Sequence, residues 1–177
     1  HEHRRILEIL TRWLDFEKSR SPYQVVAVET DKSIRIGQLQ LDLRLDRIDQ
    51  MEDGSQLIID YKSGNATTTG WRLPRLSDPQ LPLYASTVDN VSGIALMQIS
   101  EERSTLIGVA EHEIDGLSNS QDFGFETFKD LANAWNSYLK DTATSFVNGY
   151  AAVDPIDKTI CRRCHLHGLC RVFDGDN

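Results

Sequence analysis

The stretch LRLDRIDQMEDGSQLIIDYKSG, residues 43–64, sets the reading of the whole chain. In an extended strand, residues two apart share a face. Asp60 and Lys62 therefore point one way and Tyr61 the other. In the preceding run, Leu39, Leu41, Leu43 and Leu45 fall on one face, and Asp42, Arg44 and Asp46 on the other. Glu52, Asp53 and Gly54 supply a three-residue hairpin loop with glycine in the left-handed position. Such a loop pairs Met51 with Ser55, which sets Asp46 across from Asp60 and Leu45 against Tyr61. Directly opposed side chains have Cβ atoms about 4.5–5.5 Å apart, and like charges there are destabilising. Two carboxylates so placed call for a cation between them. Hard divalent ions such as Mg2+ take oxygen ligands and keep waters for a substrate phosphate. The same register puts Arg44 opposite Lys62, a repulsion that a bulge or a nearby acid such as Asp42 has to relieve.

This layout suits phosphodiester hydrolysis. A metal ion acts as a Lewis acid and lowers the pKa of a bound water. A lysine two residues from a metal-binding acid orients that water and stabilises charge developing on the phosphate. A lone D-x-K is most often a salt-bridged face of a hairpin, and it is the opposed Asp46 that gives this one weight.

Outward from the hairpin, residues 3–18 read as a helix with Ile6, Ile9, Leu10, Trp13 and Leu14 on one stripe, ended by Ser21-Pro22. Strands are expected at 25–30, 34–49, 56–62, 93–100 and 104–110. The 34–49 run bends or splits at Gly37. Residues 63–77 read as a loop. A helix at 78–88 opens on Asp78 as N-cap and Pro79 as first residue. A long helix at about 124–147 buries Phe125, Phe128, Leu131, Trp135, Leu139 and Phe146. The order is that of an α/β layer protein with a mixed sheet.

The chain has 177 residues and a formal net charge of -8. One domain of roughly 100–200 residues accounts for that length. Residues 101–130 hold eight acids against two bases, six of the eight net negative charges, so the remainder is close to neutral and free to carry a local basic groove. An acidic chain is not a simple nucleic-acid coat protein. No membrane span or signal peptide is legible, and a cytoplasmic location is expected. The first residue is not Met, and the chain reads as a C-terminal fragment of a longer protein, one domain over 1–177 with a cysteine tail at 156–172.

LRLDRID, IIDYKSG and DPQLPLYA (78–85) together resemble the PD-(D/E)XK nuclease superfamily, closest to its RecB/AddB-like branch. The resemblance covers roughly residues 20–90 and the cysteine tail. It implies a restriction-endonuclease-like mixed β-sheet flanked by helices and a Mg2+- or Mn2+-dependent deoxyribonuclease. An exonuclease is expected over an endonuclease, acting in DNA repair or recombination on DNA that a helicase partner supplies. Asp46 and Asp60 are then metal ligands and catalytic, Lys62 is the catalytic lysine, and the Tyr61 carbonyl is a further ligand. Gln80 and Tyr84 match the family's Q-x-x-x-Y motif, four residues apart on one helix face. Glu29, ending the strand before the hairpin, is a second-rank metal candidate against a plain surface glutamate. His1 and His3 read as exposed terminal histidines, and the family's upstream histidine is expected before residue 1.

Cys161, Cys164 and Cys170 form C-x2-C-x5-C. Three cysteines in a non-secreted chain argue for a metal or a reactive thiol over a disulfide framework. The resemblance implies a structural [4Fe-4S] cluster completed by a fourth cysteine upstream, hence incomplete in this chain. His165 or His167 as fourth ligand of a zinc site and plain reduced thiols stay open. In the loop after Lys62, Arg72 and Arg75 are candidate DNA contacts, with Trp71 as either a stacking surface or a packed core residue. Two other functions stand beside the nuclease: a catalytically silent DNA-binding or scaffolding domain on the same fold, and a zinc-stabilised interaction module.

Overall fold

A computed structural model describes residues 2–171; His1 and residue 172 of the cysteine tail lie outside them. Helix α1 (Glu2–Ser19) is followed by three strands, β1 (Tyr23–Ile36), β2 (Leu39–Met51) and β3 (Gln56–Lys62). A loop and the short helix α2 (Gln80–Ala85) lead to β4 (Val91–Ile99), β5 (Ser104–Ala110) and β6 (Leu117–Asn119). Helix α3 (Phe128–Val147) and two one-turn helices, α4 (Lys158–Cys161) and α5 (His167–Cys170), complete the chain. The six strands lie in sequence order, with β3–β4 and β5–β6 parallel and the other neighbours antiparallel.

Both glycine turns behave as their sequences require. Gly37 has φ +57° and divides the long apolar run, so β1 continues to Ile36 and folds back as β2. Gly54 has φ +81°, and the Met51 N–H donates to the Ser55 carbonyl at 2.8 Å. The β2–β3 register follows from that loop: Gln50 pairs with Gln56, Asp49 with Leu57, Ile48 with Ile58 and Arg47 with Ile59. The pairing ends at Arg47–Ile59; Asp46 and Asp60 are the next residues along, just beyond the ladder.

The sheet is covered on both faces. Trp13 and Phe16 of α1 pack on Leu57, Ile59, Ala95, Met97 and Leu106. On the other face, Ile58, Ile94, Leu96 and Val109 meet Leu81 and Tyr84 of α2 and Phe128, Leu131 and Trp135 of α3. Thr127 caps α3 by accepting from the Asp130 N–H, relieving one of the unpaired donors of the first turn. The buried stripes are shorter than their periodicity suggests. Ile6, Leu10 and Leu14 of α1 and Phe146 of α3 are exposed; α1 turns Trp13 and Phe16 to the sheet instead. Helix α2 starts at Gln80 instead of Asp78, with Pro79 at the cap position and no side-chain cap.

One expected contact is overturned. Leu45 packs on the α2/α3 face beside Ile48, whereas Tyr61 packs on the α1 face. Leu45 and Ile48 are three apart, so β2 switches parity between them, which a regular pleat forbids. The switch coincides with a kink in the partner strand: β1 pairs Val28 with Arg47 and Thr30 with Leu45, and Glu29 between them has φ +45°. Left-handed backbone at a non-glycine residue is strained, and such strain clusters at functional sites. The kink falls directly across from Asp46.

Candidate active site

The site sits where the β2–β3 ladder stops. Beyond the Arg47–Ile59 pair, the Tyr61 N–H turns from backbone pairing to the Asp46 carboxylate, donating to Oδ2 at 3.1 Å. Asp60, only 6% exposed, is held from two sides. Gln80 Nε2 donates to its Oδ1 at 3.3 Å, and Lys62 Nζ lies 2.8 Å from its Oδ2. Apart from that ammonium, Oδ2 is a buried oxygen with no hydrogen-bond partner. Buried carboxylate oxygens are rarely left so. Tyr84, one turn after Gln80, donates from Oη to the Arg44 carbonyl at 2.8 Å. Helix α2 thereby grips both strands of the hairpin, β3 through Gln80 and β2 through Tyr84.

The electrostatics match this geometry. Burial pushes the Asp60 carboxyl above its ordinary value; the Lys62 ammonium opposes the shift, and the charges of Asp46 and Asp78 add to it. Lys62 is raised by its bond to Asp60 and, more distantly, by Asp78 and Asp46. It keeps its proton at neutral pH. The feared clash of Arg44 with Lys62 does not arise. Arg44 pairs with Glu29 at 2.7 Å and Lys62 with Asp60, since the ladder ends before the two meet. Asp42 instead bonds to Ser33. The Lys62 side chain is 40% exposed, so its ammonium is accessible; the cleft of about 570 Å3 beside it, between α1 and the β4–β5 turn, opens on the α1 side and is lined by neither Asp46 nor Asp60.

Asp46, Asp60, Lys62, Gln80 and Tyr84 are thus brought together with the Tyr61 backbone between them. Glu29 is exposed and engaged by Arg44. Trp71 is fully buried against Trp135, whose Nε1 donates to the Trp71 carbonyl at 2.8 Å, so it is core and not a stacking surface. Arg72 lies 4.5 Å over the Phe123 ring and donates to the Asp122 carbonyl, and Arg75 pairs with Asp154. Both guanidinium groups remain solvent-facing. Asp78 was legible only as a helix cap; its place two residues before Gln80 was the available signal for its role beside Asp60 and Lys62.

The cysteine tail does not form a ligand cluster. Cys161 is buried, Cys164 Sγ accepts from the Leu166 N–H at 3.4 Å, and Cys170 Sγ lies 3.9 Å from the His167 carbonyl. His167 Nε2 is turned to the Cys161 carbonyl. Among the described residues, no three His, Cys, Asp or Glu side chains stand together as a metal-binding group. The thiols as placed do not fit an iron–sulfur cluster or a zinc ion. The acidic site fits a different ion. Two carboxylates, one with a buried oxygen met only by an ammonium, and a backbone carbonyl are hard donors. Mg2+ is bound by one or two carboxylates with waters and substrate phosphate completing its shell.

A buried charged cluster was missed. On the α1 face, Arg47 is 5% exposed and Asp49 fully buried, joined by Glu17 and Arg20. Arg47 and Asp49 stand on the face of β2 opposite Ile48, and charged residues at alternating positions in a central strand were the cue.

The sequence matches the model of the PD-(D/E)XK nuclease superfamily over residues 1–171, and the chain belongs to that family. Its mixed sheet with helices on both faces is the restriction-endonuclease-like fold. No curated protein matches the chain. Among solved structures, that of the protein SSO0001 is similar at 15% identity, covering 93% of this chain and 67% of its own, with a TM-score of 0.42; so distant a likeness carries no argument. Among the described residues, no helix is long and apolar enough to cross a membrane.

Proposed function

We propose that this domain is a divalent-metal-dependent deoxyribonuclease. The observation that carries the reading is the grouping just beyond the β2–β3 ladder: the Asp46 carboxylate accepts from the Tyr61 N–H, and the buried Oδ2 of neighbouring Asp60 is met only by the Lys62 ammonium. Asp46, Asp60 and the Tyr61 carbonyl would hold Mg2+ or Mn2+. Bound there, the ion supplies Lewis acidity and lowers the pKa of a coordinated water. Lys62, protonated and partly exposed, stabilises charge that develops on the phosphate. Gln80 fixes the rotamer of Asp60, and Tyr84 fixes the β2 backbone at Arg44. Arg72 and Arg75 offer exposed cationic groups to the nucleic-acid backbone. The motif resemblance to helicase-associated nucleases supports exonucleolytic action in DNA repair or recombination. The cysteine tail has no part in the chemistry.

The test uses fluorescently end-labelled single- and double-stranded DNA with Mg2+ or Mn2+. The parent degrades DNA and is silenced by EDTA. Asp60→Ala and Lys62→Ala each lower the rate by at least about a hundredfold, the scale of losing one preorganised charge in a site. Degradation by either variant at the parent's rate refutes the assignment.

A further inference from the structure

The residues that follow the two acids, Arg47 after Asp46 and Tyr61 after Asp60, project to the opposite face of the sheet and meet there. Arg47 Nη1 donates to Tyr61 Oη at 2.9 Å. Tyr61 is consequently tied to β2 twice, through its N–H to Asp46 on the site face and through its hydroxyl to Arg47 on the α1 face. No backbone pair beyond Arg47–Ile59 holds the strands together at this point. We infer that Arg47 and the Tyr61 hydroxyl form a positioning clamp, which sets the spacing of Asp46, Asp60 and the Tyr61 carbonyl from behind the sheet.

The clamp is rigid because Arg47 is saturated. Its five N–H groups are all used: Nε and Nη2 on Asp49, Nη1 and Nη2 on Glu17, and the remaining Nη1 hydrogen on Tyr61. Glu17 in turn accepts from Arg20, Trp13 and Tyr23, and Arg20 reaches Asp49 at 2.8 Å. A planar guanidinium with every donor fixed cannot rotate without breaking several charged bonds at once. The Tyr61 ring is also wedged by Trp13, edge-on at 6.1 Å. The opposite faces thus differ in kind: a site face where a buried oxygen meets only the Lys62 ammonium, and a support face where every Arg47 donor is satisfied.

The inference rests on the proposed metal site, and the experiment separates the two. Arg47 itself is a poor probe, since removing it strips five bonds and threatens the fold. Tyr61→Phe removes one hydroxyl and leaves the ring against Trp13. Mn2+ binding is measured by electron paramagnetic resonance, and melting by circular dichroism, on the parent, Tyr61→Phe, Asp60→Asn and Leu106→Ala. Leu106 lies in the same α1-side core, two strands from Tyr61 with Met97 between them. Expected results are loss of Mn2+ binding in Asp60→Asn, about tenfold weaker binding in Tyr61→Phe, the scale of losing an outer partner of a metal ligand, and unchanged affinity in the melted-down Leu106→Ala. Parent-like affinity in Tyr61→Phe while Asp60→Asn binds nothing overturns the clamp alone. Equal weakening in Leu106→Ala also overturns it, reducing the effect to general loosening. Parent-like binding in Asp60→Asn overturns the metal site and the clamp with it.

Discussion

Replacing Arg47 by Met tests how far the buried charges govern stability. In the parent, two guanidinium groups, Arg20 and Arg47, balance two carboxylates, Glu17 and Asp49, all nearly sealed from water. Met fills much of the volume and removes one charge, so two buried carboxylates share Arg20 alone. Breaking one side of a buried ion pair costs about 3–5 kcal/mol. For a domain of this size that is a fall in Tm of roughly 6–20 °C. The pH dependence supplies a second, independent signature. Burial pushes the Glu17 carboxyl up, but hydrogen bonds from Arg47, Tyr23 and Arg20 outweigh it and hold the group below its ordinary value. A lowered folded-state pKa contributes stability that is present above the unfolded value and lost as pH falls through the folded one. In Arg47→Met the largest opposing bond is gone, burial dominates, and protonating Glu17 becomes a relief. Urea unfolding followed by circular dichroism from pH 7 down to about pH 4 should show the gap between parent and variant narrowing with acid. A gap under about 1 kcal/mol at pH 7, or one that stays constant with pH, refutes the argument that uncompensated buried charge is the cause.

Asp60→Asn should raise the Tm of the metal-free protein in EDTA at pH 7. Its carboxyl is lifted chiefly by burial, so its favourable contribution is full below the unfolded value and lost as pH rises through the folded one; an unchanged or lower Tm counts against that. Mg2+ at a hundredfold over its dissociation constant should stabilise the parent by about 2.7 kcal/mol, read as an upward shift in thermal melting that Asp46→Asn abolishes. Trp71→Ala should cost about 3–5 kcal/mol, because the fully buried ring fills the space against Trp135; a loss under about 1 kcal/mol would return Trp71 to the role of a surface stacking residue.

The hairpin was the most legible part of the molecule. Gly54 and the loop length determined the β2–β3 register as far as Arg47–Ile59, which brings Asp46 and Asp60 to the end of the ladder. Gly37 marked where one long apolar run becomes two strands. Period-two reasoning failed where the pleat itself fails. The kink at Glu29 carries Leu45 to the face away from Tyr61, and nothing in a glutamate announces a left-handed backbone. Burial of Trp71 and exposure of Ile6, Leu10, Leu14 and Phe146 depend on which elements lie alongside, and local spacing does not carry that. The buried charges were written in the strand as Arg47 and Asp49, but their partner Glu17 lies thirty residues away from Arg47 on a helix that reads as merely amphipathic.

Helix α1 lies before every strand, and the natural place to trim the chain would be just ahead of Tyr23. Such a cut would take away Glu17 and Arg20 together, leave Arg47 with Asp49, Tyr61 and the ring of Tyr23, and open Leu57, Ile59 and Met97 to water. A shortened gene product retaining every acid and lysine of the site would therefore sacrifice the scaffolding behind them. The first eighteen or so helical residues belong in any expressed version meant to report on the chemistry.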